Sequence, residues 1–357
     1  MESHQVIVVG SGPAGAACAK ALRQQNIDVL VLEREPLPRY KCCSGVLFGQ
    51  TQELLRKYFG ADAPPDVYCG NDKIIEAGDI REWNDKRGFF QYFWEIGKDG
   101  KEFPTKYQNI WRDRFDKWLL DQSGAAYRDQ VRVRAFKASE DGVEVEVQSG
   151  GDGELKGPSH YRCQYLIGAD GGASVVRRQL YPAQPGDQPG AAVAILQSYF
   201  KLESLGSLKK ASWSVFFDTE IGEMLSCVHQ KDDYLLLCVG GFRGRKLRDS
   251  LARFKALLAE KFDVKLGEWW RDEGCQMELA PPVFGKGRVL ITGEAAGFVY
   301  LNGEGISAAI DSGYRCGGAV AQALLTGKDA VGLYQENSKD IVSHLQKCLE
   351  NIHFLSV

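Results

Sequence analysis

The chain has 357 residues, of which 44% are hydrophobic and 25% are charged, an ordinary balance for a soluble globular protein of two to three domains. A formal net charge of −3 offers no basic footprint for nucleic acid, so any membrane contact would have to be hydrophobic. No apolar run approaches the roughly 20 residues of a membrane-spanning helix, and nothing resembles a signal peptide. We therefore expect a cytoplasmic protein whose ten scattered cysteines are mostly reduced.

The first motif predicts a dinucleotide site. Val6 to Val9 is an apolar strand suited to a parallel sheet, and Gly10, Gly12 and Gly15 after it fit G-x-G-x-x-G. In this motif the glycines make a tight turn, admit a pyrophosphate and let helix and strand pack closely, with the phosphates at the helix N-terminus. Glu33 ends the second strand roughly 20 residues later, where an acid accepts a hydrogen bond from an adenosine ribose. That geometry suits FAD or NAD.

Two later segments repeat the pattern of an apolar strand that runs into a glycine turn bearing a carboxylate. The segment CQYLIGADGG places Asp170 on such a turn, and GRVLITGEAAG places Glu294 directly after Gly293. Ligands bind at the carboxyl ends of strands in open α/β sheets, which favours a shared site. The alternative is that both acids only cap unrelated helices.

Together the three motifs resemble, from Val6 to about Leu325, the flavoprotein superfamily of aromatic hydroxylases, flavin halogenases and geranylgeranyl reductases. The resemblance implies an α/β fold with a Rossmann-like FAD-binding domain and a β-sheet substrate domain. It implies FAD as cofactor, with Asp170 near the pyrophosphate and Glu294, where the family usually has Asp, at the ribityl hydroxyls. The segment IWRDRFDKWLL resembles the family's R-x-x-F-D-x-x-L helix, so Arg112 would support the cofactor, and we add Arg34 to the cofactor residues.

The segment NGEGISAAI has a physical use beside a flavin. If Gly303, Gly305 and Ile306 begin a helix aimed at the isoalloxazine ring, their N–H groups and the helix dipole would stabilise negative charge on the reduced flavin. A reduced flavin stabilised in this way is a good hydride donor.

Adjacent cysteines occur in KCCSGVL, which resembles the K-P-C-G-G-G-L of geranylgeranyl reductases at Lys41, Cys43, Gly45 and Leu47. The resemblance makes Cys43 a wall of the cavity over the flavin, with Gly45 leaving room for substrate. A buried structural thiol is the main alternative. Redox or metal chemistry is disfavoured, because bridging adjacent cysteines is strained and no second ligand pair accompanies them, so no metal is expected.

Strand patterns suggest the domain organisation: a cofactor domain of residues 1–70, 100–183 and 283–325, a substrate domain of 71–99 and 184–282, and a C-terminal helical segment of 326–357. Three period-two segments, VRVRAF, VEVEVQ and YRCQYLIG, predict an antiparallel meander. The substrate domain would contain aromatic-rich strands, a helix at Ser250 to Phe262, and a second aromatic strand at Phe89 to Ile96. Trp213, Val215 and Phe217 alternate on one strand and are expected either to line the pocket or to fill the sheet core.

We therefore expect an FAD-dependent oxidoreductase that reduces carbon–carbon double bonds of an apolar, prenyl or lipid-like substrate by hydride transfer. The alternatives are a flavin-dependent monooxygenase or halogenase, although the halogenase element W-x-W-x-I-P is absent, and a non-catalytic flavoprotein. A single dinucleotide fingerprint means that NAD(P)H, or another electron donor, would visit the flavin transiently. A lipid substrate would also make peripheral membrane contact plausible.

Overall fold

A computed structural model describes residues 1–70, 72–82, 106–150, 160–182, 191–218, 221–223, 226–300 and 305–350. The strands, in chain order, are β1 (Glu2–Val9), β2 (Val29–Leu32), β3 (Val46–Leu47), β4 (Ile74–Glu82), β5 (Lys106–Asn109), β6 (Ala126–Arg128), β7 (Val131–Ser139), β8 (Gly142–Ser149), β9 (His160–Gly168), β10 (Ala191–Ser204), β11 (Ser212–Phe217), β12 (Ser226–Lys231), β13 (Tyr234–Phe242), β14 (Lys265–Leu279), β15 (Gly285–Lys286) and β16 (Val289–Ile291). The helices are α1 (Pro13–Gln24), α2 (Gly49–Phe59), α3 (Arg112–Ser123), α4 (Val175–Leu180), α5 (Leu247–Phe262), α6 (Ile306–Thr326), α7 (Ala330–Asn337) and α8 (Lys339–Glu350).

The first sheet has a parallel centre in the order β16-β9-β1-β2-β6. Its central strands are continuous apolar segments, and both β2 and the second half of β1 are fully buried, as expected for a parallel sheet covered on both faces. Antiparallel pairing joins β7 to β8 and β8 to β9, so the predicted meander is confirmed. The carboxyl ends of β1, β9 and β16 consequently meet at one edge, which brings the three glycine turns together.

Helix α6 packs closely on α1 and holds the last glycine turn beside the first. A Cβ atom at Gly313 would lie 2.2 Å from the backbone oxygen of Ala14, so only glycine permits this approach. A Cβ atom at Gly293, in the turn after β16, would likewise lie 2.6 Å from the Cβ of Ala14, so close packing between α1, α6 and this turn assembles the cofactor site. Helices α7 and α8 follow α6, and residues 351–357 of the predicted C-terminal helical segment lie outside the described residues.

The second sheet runs in the order β14-β10-β13-β12-β11-β4-β5-β3. Helix α5, which begins three residues before the predicted start, packs Phe254 and Leu258 against Leu235 and Leu237 on one face of this sheet. The opposite face turns toward the first sheet. The mixed α/β architecture with two sheets confirms the predicted fold class.

Strands β3 and β5 lie inside the ranges predicted for the cofactor domain but hydrogen-bond into the second sheet. They are two and four residues long, too short for a period-two pattern to indicate which sheet they join. The predicted aromatic strand at Phe89 to Ile96 falls outside the described residues. In the part of the chain that is described, no helix has the length and apolar character required to cross a membrane.

Candidate active site

A cavity of about 1070 Å³ lies between the two sheets. One side is formed by the glycine turns after β1, β9 and β16 together with the loop that follows β2. The other side is the open face of the second sheet. The loop of residues 39–44 joins the two sides, so the paired cysteines stand at the junction of the walls.

The first glycine turn has the backbone geometry that its motif predicts. Gly10 has φ of +100°, and a Cβ atom there would lie 2.5 Å from the backbone oxygen of Ala169. Helix α1 begins at Pro13 with Gly12 as its N-cap and without a side-chain cap. Gly12 and Ala14 line the cavity, so the N–H groups of the first helical turn face a space suited to a pyrophosphate. Gly15 is buried within α1, where its bare Cα lies against the backbone of Gly10.

Glu33 is 4% exposed at the adenosine end of the cavity. Its Oε2 accepts hydrogen bonds from the Ser11 N–H at 3.0 Å, the Ser11 hydroxyl at 2.7 Å and Arg39 Nε at 3.0 Å. Burial alone would raise the pKa of Glu33, but the Arg39 charge and the Ser11 hydrogen bonds outweigh it and hold that pKa below its usual value. The acid is therefore ionised and oriented, as a ribose acceptor must be.

Arg39, which the sequence analysis missed, connects Glu33 to the Arg112 helix. Its Nη1 lies 3.2 Å from Asp116 Oδ2, and Arg112 donates to both oxygens of Asp116 at 2.8 Å. Burial opposes the charge of Arg112, but Asp116 raises the pKa of this guanidinium, so Arg112 stays charged. By contrast Arg34, the predicted cofactor residue, has a half-exposed side chain at the cavity rim and pairs with Glu35.

Asp170 and Glu294 both line the cavity, as the motif pattern predicts. Asp170 Oδ2 accepts from the Val175 N–H at 2.7 Å at the start of α4, whereas its buried Oδ1 has no hydrogen-bond partner among the described residues. Burial raises the pKa of Asp170. Glu294, which follows Gly293 in a short 3₁₀ turn, accepts from Lys41 Nζ at 2.9 Å. A buried carboxylate oxygen free to accept, beside an open helix N-terminus, fits the ribose, pyrophosphate and ribityl groups of FAD.

The loop of residues 39–44 is anchored by two buried side chains of β12 that the sequence analysis missed. Lys231, 1% exposed, donates to the backbone oxygens of Ser44 at 2.9 Å and Ile110 at 2.7 Å. His229 Nε2 donates to Ser44 O at 3.1 Å. Burial, helped by the Lys231 charge, lowers the pKa of His229 to about 3, so the imidazole is neutral with its proton on Nε2.

Gly45 serves this anchoring and is not among the cavity-lining residues. Its φ is +72°, and a Cβ atom there would lie 2.1 Å from Ile110 O and 2.5 Å from Lys231 Nζ. The predicted role of leaving room for substrate is therefore replaced by a close approach of backbone to backbone.

The two adjacent cysteines diverge, although both line the cavity. Cys43 Sγ accepts a hydrogen bond from the Gly45 N–H at 3.4 Å, and its side chain packs on the cluster formed by α1, α2, α3 and α6. The thiol of Cys42 interacts with that of Cys275 on β14, and its Sγ lies 3.8 Å from the Gln197 amide. Consecutive residues of an extended loop point in opposite directions, which is why they do not face each other.

The second sheet supplies an uncharged wall. Trp213 lines the cavity, in edge-to-face contact with Phe48 at 5.4 Å, whereas Val215 is fully buried in the core behind it. Every lining residue from β10 to β14 is uncharged, within the described residues: Val193, Ile195, Gln197, Trp213, Cys227, Cys238, Gly240, Gly274, Cys275, Gln276, Met277 and Leu279.

Helix α6 begins at Ile306 with Gly305 as its N-cap, and both residues line the cavity. The start of α6 therefore faces the same space as the glycine turns and the uncharged wall. Gly303 and the side chain of Phe217 lie outside the described residues.

The fold and this cavity define an FAD-dependent flavoprotein. The chain belongs to the FAD-binding domain family, whose model matches residues 3–346. This match confirms the superfamily resemblance and the prediction of FAD as cofactor, and it identifies the protein as an oxidoreductase of this class.

Proteins of similar sequence or fold include a CbrA protein, a reductase-like protein and a hydroxylase. Protein CbrA of Escherichia coli O9:H4 (strain HS) is 28% identical over 336 residues, covering 87% of this chain and 80% of CbrA. A geranylgeranyl bacteriochlorophyll reductase-like protein from Thermoplasma acidophilum superposes with a TM-score of 0.79 at 18% identity, covering 99% of this chain and 87% of that one. The anhydrotetracycline hydroxylase OxyS from Streptomyces rimosus gives 0.68 at 20% identity, covering 99% and 70%. At such identities the two solved structures show a shared fold.

Proposed function

We propose that this FAD-dependent oxidoreductase reduces carbon–carbon double bonds of an apolar, prenyl- or lipid-like substrate. The uncharged wall carries this proposal, because the β10–β14 side of the cavity offers aliphatic, aromatic and thiol groups and a few amides. A charged or strongly polar substrate would lose its hydration there without gaining ionic partners. A long apolar chain would gain from burial against the same surface.

Bound FAD would supply the hydride. The residues of the chain would position the cofactor and exclude water. Glu33 and the N-terminus of α1 would hold the adenosine and pyrophosphate, while Glu294 and Asp170 offer acceptors to the remaining hydroxyls. The N-terminus of α6 at Gly305 and Ile306 faces the cavity and would stabilise negative charge developing beside it. Trp213 and Ile195 would exclude water from the substrate side.

The electron donor in this proposal is NAD(P)H or another reductant that docks transiently, because the chain carries a single dinucleotide fingerprint. A lipid substrate would also bring the protein into peripheral contact with a membrane. Residues Cys43, Trp213 and Ile195 would touch the substrate, whereas Gly45 and Val215 would act only through packing.

Monooxygenation is the second candidate, favoured by the fold similarity to OxyS. The two reactions differ in what oxidises the reduced flavin. A reductase passes its hydride to the substrate without oxygen, whereas a monooxygenase requires oxygen at that step.

The deciding experiment mixes reduced holoenzyme anaerobically with a polyprenyl compound in detergent and follows the flavin absorbance. The reductase proposal expects reoxidation of the flavin, and the fully saturated analogue of the same chain length is the matched control because it cannot accept a hydride. Reoxidation that needs oxygen, with a transient C4a-adduct band, would establish the monooxygenase instead.

A further inference from the structure

Cys42 has its thiol partner across the cavity wall and not next to it in the sequence. Its Sγ lies 3.8 Å from the Gln197 side chain of β10 and its thiol interacts with that of Cys275, neither cysteine is in a disulfide, and both line the cavity. Cys42 belongs to the loop after β2, whereas Cys275 lies on β14 opposite Ile195 of β10. The pair thus joins the cofactor side to the substrate side.

The electrostatics of this pair differ from those of ordinary buried thiols. The hydrogen bond from Cys42 lowers the pKa of Cys275, with further help from the charge of Lys41, and the same hydrogen bond raises the pKa of Cys42. Of the two thiols Cys275 therefore loses its proton more readily, and the thiolate is the reactive form of cysteine.

The position of the pair links it to the cofactor. Lys41, adjacent to Cys42, forms the 2.9 Å ion pair with Glu294, the acid at the expected ribityl position. In the described part of the chain no group of three or more His, Cys, Asp or Glu side chains is arranged to hold a metal ion. Two neighbouring thiols beside the expected flavin site are therefore better suited to electron exchange than to metal binding.

A second thiol pair in the same cavity provides an internal comparison. Cys227 and Cys238 face each other in register on β12 and β13, and both line the cavity. The hydrogen bond and burial raise the pKa of Cys238 well above its usual value. Thiols of this kind stay protonated and inert.

We propose that Cys42 and Cys275 form a two-electron dithiol–disulfide pair that exchanges electrons with the bound flavin. In the oxidising direction both S–H bonds break and the bond between the two sulfur atoms forms. Two electrons and one proton would pass to oxidised FAD, and the second proton would pass to solvent. The reverse step restores the two thiols, and the direction depends on the relative potentials. This pair is independent of the substrate proposal.

The test counts electrons in the holoenzyme. Protein is incubated with excess oxidised glutathione, desalted and titrated anaerobically with dithionite while the flavin absorbance is followed. Because a flavin and a disulfide each accept two electrons, the wild type is expected to consume about four electrons per FAD. Cys42→Ser and Cys275→Ser should each consume about two, and the matched control Cys227→Ser should keep about four, because its pair is inert.

Two outcomes would overturn the proposal: a wild type that consumes only two electrons, or a loss of two electrons in Cys227→Ser with none in Cys42→Ser. Peptide mapping of the oxidised wild type, after alkylation of free thiols, checks the assignment without any variant. It should recover Cys42 cross-linked to Cys275 before titration and both residues alkylated afterwards. Neither readout uses substrate, so failure here and failure of the reductase proposal are distinguishable.

Discussion

The two walls of the cavity are built on different physical principles. The cofactor wall presents charged side chains, each paired or hydrogen-bonded, as in the Glu33–Arg39–Asp116–Arg112 chain. The substrate wall contributes only uncharged groups among its described lining residues. The difference shows that the same cavity can be selective for a charged dinucleotide at one side and an apolar molecule at the other, because paired charges bind phosphates and hydroxyls while an uncharged wall penalises them.

The largest loss of stability is expected from placing a charge on the uncharged wall. Cys238 is 5% exposed, so an aspartate in Cys238→Asp would be buried beside neutral groups. An uncompensated buried charge costs about 3–5 kcal/mol, and we expect the free energy of unfolding to fall by that amount in urea denaturation at neutral pH. Cys238→Ser is the control, and its free energy of unfolding should fall much less. Equal stability of the two variants would contradict an uncharged, desolvated wall.

The junction between the walls should make stability depend on pH. His229 is neutral when folded, with a pKa of about 3, but takes up a proton below about pH 6.5 when unfolded. The unfolded state then binds more protons, so stability falls as pH drops from about 6.5 toward 3, by roughly 2 kcal/mol between pH 6.5 and 5.

His229→Gln provides the comparison for this pH dependence, because an amide can still donate to Ser44 O but does not titrate. Urea midpoints are measured for both proteins at several pH values. Below pH 6.5 the midpoint of the wild type should fall relative to that of His229→Gln. Parallel pH profiles would show that the imidazole is not the group responsible.

On the cofactor wall, Glu33→Gln should weaken FAD binding without unfolding the protein. The variant keeps the shape of the side chain but removes the charge that a ribose hydroxyl would bind. Hydrogen bonds to charged groups are worth about 1.5–3 kcal/mol, which predicts a roughly 10- to 100-fold higher dissociation constant in a flavin fluorescence titration.

Arg34→Gln is the matched control on the same wall, because the Arg34 side chain is half exposed and pairs with Glu35. Exposed pairs contribute about 0–1 kcal/mol, so the change in FAD affinity should stay below roughly 5-fold. A loss as large as that of Glu33→Gln would restore Arg34 as a main cofactor residue.

The smallest effect on FAD affinity is expected from Trp213→Phe on the substrate wall. The side chain contacts Phe48 and Tyr107 through its ring edges, contacts that phenylalanine preserves in part. We expect FAD affinity to change by less than about 2-fold, because residues of separate walls act independently. A change as large as that of Glu33→Gln would mean that the two walls are not separate in function.

Local patterns predicted most of the cofactor wall. The strand–glycine turn–helix segments place Gly10, Gly12, Asp170 and Glu294 at the cavity because each turn is specified by its own neighbours. The antiparallel meander and α5 were also predicted, since their periodicity lies within a few consecutive residues. Arg39 was missed because no motif marks it, and only its contacts with Glu33 and Asp116 show its role.

The sequence by itself determined the cofactor class, the apolar strands that suit a parallel sheet and the glycine turns, because each of these patterns lies within residues close along the chain. Only the tertiary structure decided that Cys42 meets Cys275, that Lys231 anchors Ser44, and that Gly45 serves backbone contact instead of substrate. These contacts join residues separated by 65 positions or more, as between Gly45 and Ile110. Such pairings depend on how two sheets face each other, which no local pattern encodes.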